Sequence, residues 1–225
     1  MSEVLDSLQR VPETELMAAP DHAAAYANAD FSEPHSAFVE QFAQRFGEFQ
    51  YGHVLDLGCG PADITIRFAQ RYPGVHLTAV DGSEAMLDLA RPRIEAVGLA
   101  SRIAIEHAYL PDPALLKRPF DALISNSLLH HLRNPLAIWE AAAALPTGAP
   151  IWVVDLLRPS DEAMLEELVQ CYAKGEHPLL VEDFANSLRA AYRPAEIAEQ
   201  LAAVGLGHLN IAITSDRHLA IWGRR

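Results

Sequence analysis

From residue 53 onward the chain alternates between two patterns. Short apolar runs occur at 53–58 (HVLDLG), 76–81 (HLTAVD), 102–107 (RIAIEH), 120–125 (FDALIS) and 150–156 (PIWVVDL), and segments with helical spacing fill the intervals. Runs this short and this continuously apolar suit strands covered on both faces. Strands alternating with helices build a doubly wound α/β sheet, because each parallel crossover needs a helix. Two further runs, 208–214 and 218–223, are separated only by the short stretch 215–217. A gap that short excludes a crossover and demands an antiparallel hairpin. The expected architecture is a seven-stranded sheet, parallel first and antiparallel at its end.

Local signals mark the helices. ADITIRFAQR at 62–71 runs into Pro73 and Gly74, a stop signal. Ser83 is placed to cap the next helix, Pro92 is expected to kink or interrupt it, and Gly98 to end it. Pro135 and Pro194 each stand where a helix opens, and Gly205 where one closes. Residues 1–50 read as helices before the first strand, and 157–192 as a helical insertion after the fifth. Ligands of open α/β sheets sit beyond the carboxyl ends of the strands, so both segments are candidate covers. The expected organisation is a helical cap at 1–50 and a sheet domain at 51–225 that carries the 157–192 insertion.

Charge narrows the partners. Thirty acidic residues against seventeen basic ones give a formal charge of −13, and the basic residues are scattered. A polyanion meets net repulsion here, so nucleic acid is not an expected partner. No apolar run approaches the ~20 residues a bilayer demands. The acidic start, MSEVLDSLQRVPETEL, lacks a charged-then-apolar leader pattern, so no membrane association and a cytoplasmic location are expected. Cys59 and Cys171 form no metal-ligand spacing, and no metal is expected. Nothing in the sequence fixes the oligomeric state.

The chemistry concentrates in VLDLGCGPADITIRFA, residues 54–69. An apolar strand carries Asp56, then Gly58 and Gly60 at alternate positions. Glycines after a strand allow a sharp turn and a close approach of backbone to ligand. A dinucleotide fingerprint starting at Gly58 would place its third glycine at 63, where the chain has Asp63. A carboxylate beside a pyrophosphate is repulsive, which disfavours a nicotinamide-dependent dehydrogenase. A tight turn without any ligand is the other reading of the glycines alone.

With these residues the chain resembles the class I S-adenosylmethionine-dependent methyltransferases of small-molecule type. Their first motif is an acidic residue followed by Gly-x-Gly-x-Gly, here Asp56, Gly58, Gly60 and Ala62. Ala62 in place of a third glycine predicts ordinary helical φ there, with Gly60 as the point of close approach. The resemblance implies a Rossmann-like sheet and S-adenosylmethionine as cofactor, held by backbone around Gly58, Cys59, Gly60, Gly82, Asn126 and Ser127. It implies that Asp81, ending the second strand, accepts both ribose hydroxyls, since one carboxylate can take two O–H donors. Met86 stands where the family lays an apolar residue on adenine. His107 and Ala108 stand where it has an Asp for the adenine amino group.

The loop SNSLLHHL carries the acceptor question. Relatives that methylate amides or amino bases have Asn/Asp-Pro-Pro-aromatic there, and this chain has Asn126-Ser127-Leu128-Leu129. The resemblance therefore implies in-line methyl transfer to a small molecule. His131, and after it His130, are the candidate bases, because a neutral imidazole can take a proton near pH 7. Tyr26, Phe31, Arg158, Tyr172 and Tyr192 are candidate acceptor contacts from the two covers. Other readings are a non-catalytic subunit that binds S-adenosylmethionine and the disfavoured dehydrogenase.

Overall fold

A computed structural model of the protein describes residues 7–13, Ala23, Tyr26 and 31–225. Helix α1 (Ser32–Phe46) precedes β1 (Gly52–Leu57), α2 (Asp63–Arg71), β2 (Val75–Asp81), α3 (Glu84–Ala96) and β3 (Ile103–His107). Then come β4 (Ala122–Asn126), a 3-10 turn (Leu129–His131), α4 (Leu136–Ala143) and β5 (Pro150–Leu156). The insertion supplies α5 (Glu162–Tyr172) and α6 (Pro178–Ala190), and α7 (Pro194–Ala203), β6 (Asn210–Ile213) and β7 (His218–Arg224) close the chain. The sheet order is β3-β2-β1-β4-β5-β7-β6. The first five strands pair in parallel, and β7 lies antiparallel between β5 and β6. The chain order reverses direction beside β1, so β1 and β4 flank the crevice where such sheets bind ligands.

Register brings the site's strand ends level. Leu57 pairs with Val80 on one side and with Ser125 on the other. Central strands bury both faces: Val54, Leu57, Ala79, Ala122, Leu123 and Ile124 are essentially inaccessible. One face packs under α1 and α2. There Phe42 meets Phe68 edge-on at 4.9 Å and Phe46 at 4.9 Å, with Tyr72 at 5.9 Å. Arg45 of α1 lies over Trp152 and Trp222, 4.5 and 4.8 Å from their ring centres, so α1 spans to the antiparallel end of the sheet. The other face holds a second cluster that includes Trp139, Ile151, Leu201 and Ile221.

The structure departs from the sequence reading in three places. Residues 7–13 take no helix and run instead as a strap against the insertion. Helix α3 continues through Pro92. Pro92 and Asp88, whose carbonyl loses its bond, are both exposed, so water can serve that carbonyl. Ala62 has φ 65° and ψ 23°, a left-handed N-cap rather than a helical residue. The chain must reverse there between the glycine turn and α2, and the methyl group bears the strain a glycine would avoid. Among the described residues no helix is long and apolar enough to cross a membrane.

The aromatic packing makes α1 part of the core, not an appendage. Phe42 is fully buried. Phe42→Ala is expected to cost about 3–5 kcal/mol in urea unfolding monitored by circular dichroism. A loss below about 1 kcal/mol would show that α1 docks only loosely.

Candidate functional site

The turn after β1 is built on the neighbouring strand. The Gly58 and Cys59 N–H groups both donate to the Val80 carbonyl, at 2.8 and 3.1 Å. The Gly60 N–H donates to Asp81 Oδ2 at 2.8 Å, and the Ser83 N–H to Asp81 Oδ1 at 2.8 Å. Each carboxylate oxygen of Asp81 thus holds one backbone donor and retains capacity for another. Gly58 and Gly60 have φ of 74° and 52°. A Cβ on Gly58 would stand 2.8 Å from Leu128 Cβ, whereas one on Gly60 would meet nothing within 4 Å. Gly58 is therefore the protein's own close contact, and Gly60 faces open space.

Two cavities flank this turn and share Gly58. The larger, about 360 Å³, has Asp81, Gly82, Ala108, Tyr109, Leu128 and His131 in its walls, with Glu13, Arg133 and Asn134 also contributing. The smaller, about 40 Å³, is bordered by Tyr26, His35, Asp56, Cys59, Gly60, Asp63 and Asn126.

Burial sets the electrostatics. It pushes the Asp56 carboxyl up to about 7, against the hydrogen bond that Thr65 Oγ1 donates at 2.6 Å. Burial also lifts Asp81 above the usual carboxylate range, while its two backbone donors pull the other way. Asp63 lies at about 2, because His35 and Arg67 both bond it, each at 2.7 Å. Tyr26 is pushed up to about 12 by burial and by the carboxylates of Asp81 and Asp63. The Cys59 thiol is raised well above its normal value by burial, so it is no thiolate nucleophile.

Beside the turn, Asp155 at the end of β5 fixes the 3-10 segment after β4. Its carboxylate accepts from the Leu129 N–H and the Leu156 N–H, both at 2.7 Å, and pairs with His130 Nδ1 at 2.7 Å. Burial lowers the His130 pKa, but Asp155 more than reverses this, and it ends above the usual histidine value.

Comparisons with known proteins agree with this arrangement. Residues 54–148 match the methyltransferase domain family. A ubiquinone biosynthesis O-methyltransferase of Xylella fastidiosa (strain 9a5c) is 32% identical over 162 residues, which cover 68% of this chain and 60% of that protein. A trans-aconitate 2-methyltransferase of Mycolicibacterium gilvum is 31% identical over 159 residues, covering 68% and 56%. The chain thus spans somewhat under two thirds of these curated relatives. Among solved structures, the plantazolicin methyltransferase BpumL, in complex with a triazolic desmethylPZN analog and SAH, superposes with a TM-score of 0.71. Its sequence identity is 14%, and the match covers 93% of this chain and 92% of that one. An Aquifex aeolicus SAM-dependent methyltransferase gives a TM-score of 0.66 at 15% identity, covering 92% and 98%. The chain belongs to the class I S-adenosylmethionine-dependent methyltransferases.

Against the family's motifs, the candidates divide. Asp56, Gly58, Cys59, Gly60, Asn126 and Tyr26 converge on the small cavity, and Asp81, Gly82, Ala108 and His131 on the large one. Phe31 stacks on Tyr26 with ring centres 4.9 Å apart. Ser127 adjoins the small cavity through Asn126 and holds φ 55°. His107 lines neither cavity; its Nε2 is paired with the Gly82 carbonyl at 3.0 Å.

Others fall elsewhere. The Ala108 N–H is spent on the Asp81 carbonyl at 3.1 Å and is not available to a ligand edge. Met86 is buried and lines neither cavity. His130 is 2% exposed and braces the loop through Asp155, so it does not face an acceptor. Arg158, 6% exposed, donates to the carbonyls of Leu8 and Ala191 and to Glu196, at 3.1, 2.9 and 2.8 Å. It fastens the insertion. Tyr192 is buried beneath the Arg10 guanidinium, 4.0 Å from its ring centre. Tyr172 is exposed, bonded to Asp216 at 2.6 Å, with Arg217 over its ring. Neither tyrosine borders the two cavities.

The sequence reading missed Asp155, Glu13, His35 and Leu128. Asp155 had a signal, an acid closing an otherwise apolar strand; Glu13 had none.

The two glycines are expected to respond differently. Gly58→Ala combines a left-handed φ with collision against Leu128 and is expected to lose about 3 kcal/mol or more. Gly60→Ala is expected to lose about 1 kcal/mol. Equal losses in thermal unfolding would contradict the assignment of Gly58 as the packed position and Gly60 as the open one.

Proposed function

We propose that the protein transfers a methyl group from S-adenosylmethionine to a small-molecule acceptor by in-line displacement. The observation that carries this is Asp81. It ends β2, binds the Gly60 N–H, and still presents unfilled oxygen capacity to a cavity of about 360 Å³. Two ribose hydroxyls fit that capacity. The open front of Gly60 and the backbone around Asn126 would take the amino-acid end, with Asp56 as its buried carboxyl partner. Leu128 and Tyr109 would enclose the adenine.

When bound, S-adenosylmethionine supplies an electrophilic methyl carbon on a sulfonium whose leaving group is neutral. The chain's own work is to hold the acceptor opposite the C–S bond and to keep water out. Tyr26 and Phe31 cover the small cavity from the N-terminal side, and the 7–13 strap closes the large one. Of the segment before the sheet, the strap, Tyr26 and Phe31 act with the 157–192 insertion as the cap over the 51–225 sheet domain, while α1 belongs to its core. His131, in the wall of the large cavity, takes the proton of an acidic acceptor hydroxyl at its imidazole. The relatives, an O-methyltransferase of ubiquinone biosynthesis and a trans-aconitate 2-methyltransferase, support a small-molecule acceptor. The formal charge of −13 argues against nucleic acid in that role.

Calorimetric titration tests the reading. S-adenosylhomocysteine is expected to bind, and Asp81→Ala to weaken it at least tenfold; binding of NAD with no response to S-adenosylhomocysteine would overturn the assignment. A labelled-methyl screen over phenols, quinols, carboxylates, amines and thiols then identifies the acceptor. Asp56 adds a pH signature. With its pKa at about 7, the carboxyl is largely protonated at pH 6.5, and a cationic ligand favours the carboxylate. S-adenosylmethionine binding at pH 6.5 is expected to release protons, seen as heats that differ between phosphate and Tris buffers. The release is expected to fade as pH rises above about 8 and to vanish in Asp56→Asn. Identical heats in both buffers at pH 6.5 would show that Asp56 does not face the ligand's charge.

A further inference from the structure

The larger cavity contains a carboxylate that the family's cofactor motifs do not use. Glu13 comes from the 7–13 strap, far from the sheet in sequence. The strap is fastened to the insertion: the Leu8 N–H donates to the Ser160 carbonyl at 2.8 Å and the Val11 N–H to the Arg189 carbonyl at 3.1 Å. Arg158 and Arg193 both donate to the Leu8 carbonyl, at 3.1 and 3.2 Å. Arg10 reaches back to the carbonyls of Ala190 and His130, at 2.7 and 3.2 Å, which ties the strap to the histidine loop itself.

At the end of this strap the Glu13 side chain is 12% exposed. Its Oε1 accepts from Ser187 Oγ at 2.6 Å, and its Oε2 is in ion-pair contact with His131 Nδ1, off the line of a straight hydrogen bond. Burial pushes the Glu13 carboxyl up, but His131, His130 and Ser187 outweigh it and hold the group below the usual carboxylate value. The neighbouring His130 ring is 4.0 Å from that of His131 and carries its own carboxylate, Asp155, also on Nδ1. Each histidine of the pair therefore has an acid on the same ring nitrogen. Only His131 lies in the cavity wall.

We propose that Glu13 is the positioning residue for His131. Its carboxylate keeps the proton on Nδ1 and leaves the Nε2 lone pair as the acceptor of the substrate's hydroxyl proton. This rests on the methyl-transfer reading above. In the step, the hydroxyl oxygen's electron pair forms the bond to the methyl carbon, the C–S pair leaves with sulfur, and the hydroxyl proton passes to Nε2. Glu13 then faces an imidazolium, which its charge stabilises. Ser187 on α6 and the strap together complete the base, so the catalytic group depends on two segments outside the sheet. The same three side chains, Glu13, His130 and His131, could alternatively gather a cation; the test makes that an opposing outcome.

Long-range proton–nitrogen NMR on the ligand-free protein reads the tautomer directly, with His131 assigned by the signal lost in His131→Gln. In the neutral form of the ring, the wild type is expected to carry the His131 proton on Nδ1. Glu13→Ala is expected to shift most of the population to the Nε2 proton, and Glu13→Gln to retain part of the wild-type pattern. A wild-type proton on Nε2, or no change in Glu13→Ala, would overturn the proposal. So would one equivalent of Zn²⁺ retained after gel filtration by the wild type and not by Glu13→Ala. With an acceptor from the labelled-methyl screen, Glu13→Ala is expected to lower kcat about 100-fold, with KM for S-adenosylmethionine within twofold. A fall of threefold or less would overturn the positioning role. S-adenosylhomocysteine titration runs alongside: if neither wild type nor variant binds it, the methyl-transfer reading fails, and the tautomer result still judges Glu13.

Discussion

The contact on which the rest depends is the pairing of the glycine turn with the end of β2. Val80 and Asp81 between them accept three successive turn donors, from Gly58, Cys59 and Gly60. That pairing fixes the turn's path so tightly that its neighbours absorb the strain. Ala62 and Ser127 both hold positive φ, at 65° and 55°. Such positions cost of order 1–3 kcal/mol each and persist only where surroundings dictate them. Here the surroundings are explicit: the Ser127 N–H is held by the Val154 carbonyl at 2.9 Å, and Ala62 is fully buried with its N–H on the Cys59 carbonyl at 3.0 Å. The strained residues stand on either side of the cavity-facing turn, as expected where shape is kept at some expense of stability.

A second polar layer repeats the device on β5, with β1 and β4 lying between it and β2. Asp155 does for β5 and the loop after β4 what Asp81 does for β2 and the loop after β1: each carboxylate stands at the carboxyl-terminal end of its strand and accepts one backbone donor from a neighbouring turn and one from its own chain just downstream. A buried carboxylate costs free energy to desolvate, and only full satisfaction of its oxygens offsets that. Asp155 is 1% exposed and has three partners. The reward is positional. His131 follows His130 directly, so bracing one imidazole aims the next.

Much of the sheet could be read from the sequence because its code is local. Continuous apolar runs and helical spacing repeat within about ten residues, and the 215–217 gap alone forces the hairpin. Asp56, Asp81 and the glycines were legible for the same reason, since each closes or follows a strand. What failed was governed by distant contacts. The φ of Ala62 is dictated by the geometry of the turn, and the residue's own propensity for helix loses to it. Arg158 carried the right chemistry to bind a carboxylate at a strand's end, but Glu196 and two carbonyls, from the strap and the insertion, claimed its donors. Glu13 was invisible because nothing in its neighbourhood announces partners as distant in sequence as His131 and Ser187. The covers are legible as covers by elimination; their contacts are not, because they arise only once the sheet exists.

The cavity's charge follows from how four acids are individually compensated. Asp56, Asp63, Asp81 and Glu13 all border the turn and its two cavities. Uncompensated, they would hold a cation so firmly that its loss of charge during reaction would be resisted, since binding energy spent equally on the starting state does not lower a barrier. They are not uncompensated. Asp63 is hydrogen-bonded by His35 and paired with the Arg67 cation, Glu13 pairs with His131, and Asp81 is partly satisfied by two backbone donors. Burial still raises two of them, Asp56 to about 7 and Asp81 above the usual carboxylate range. The residual field therefore depends on the protonation of these two buried carboxyls, one in each cavity, and that is the quantity through which this site can match its charge to whatever occupies it.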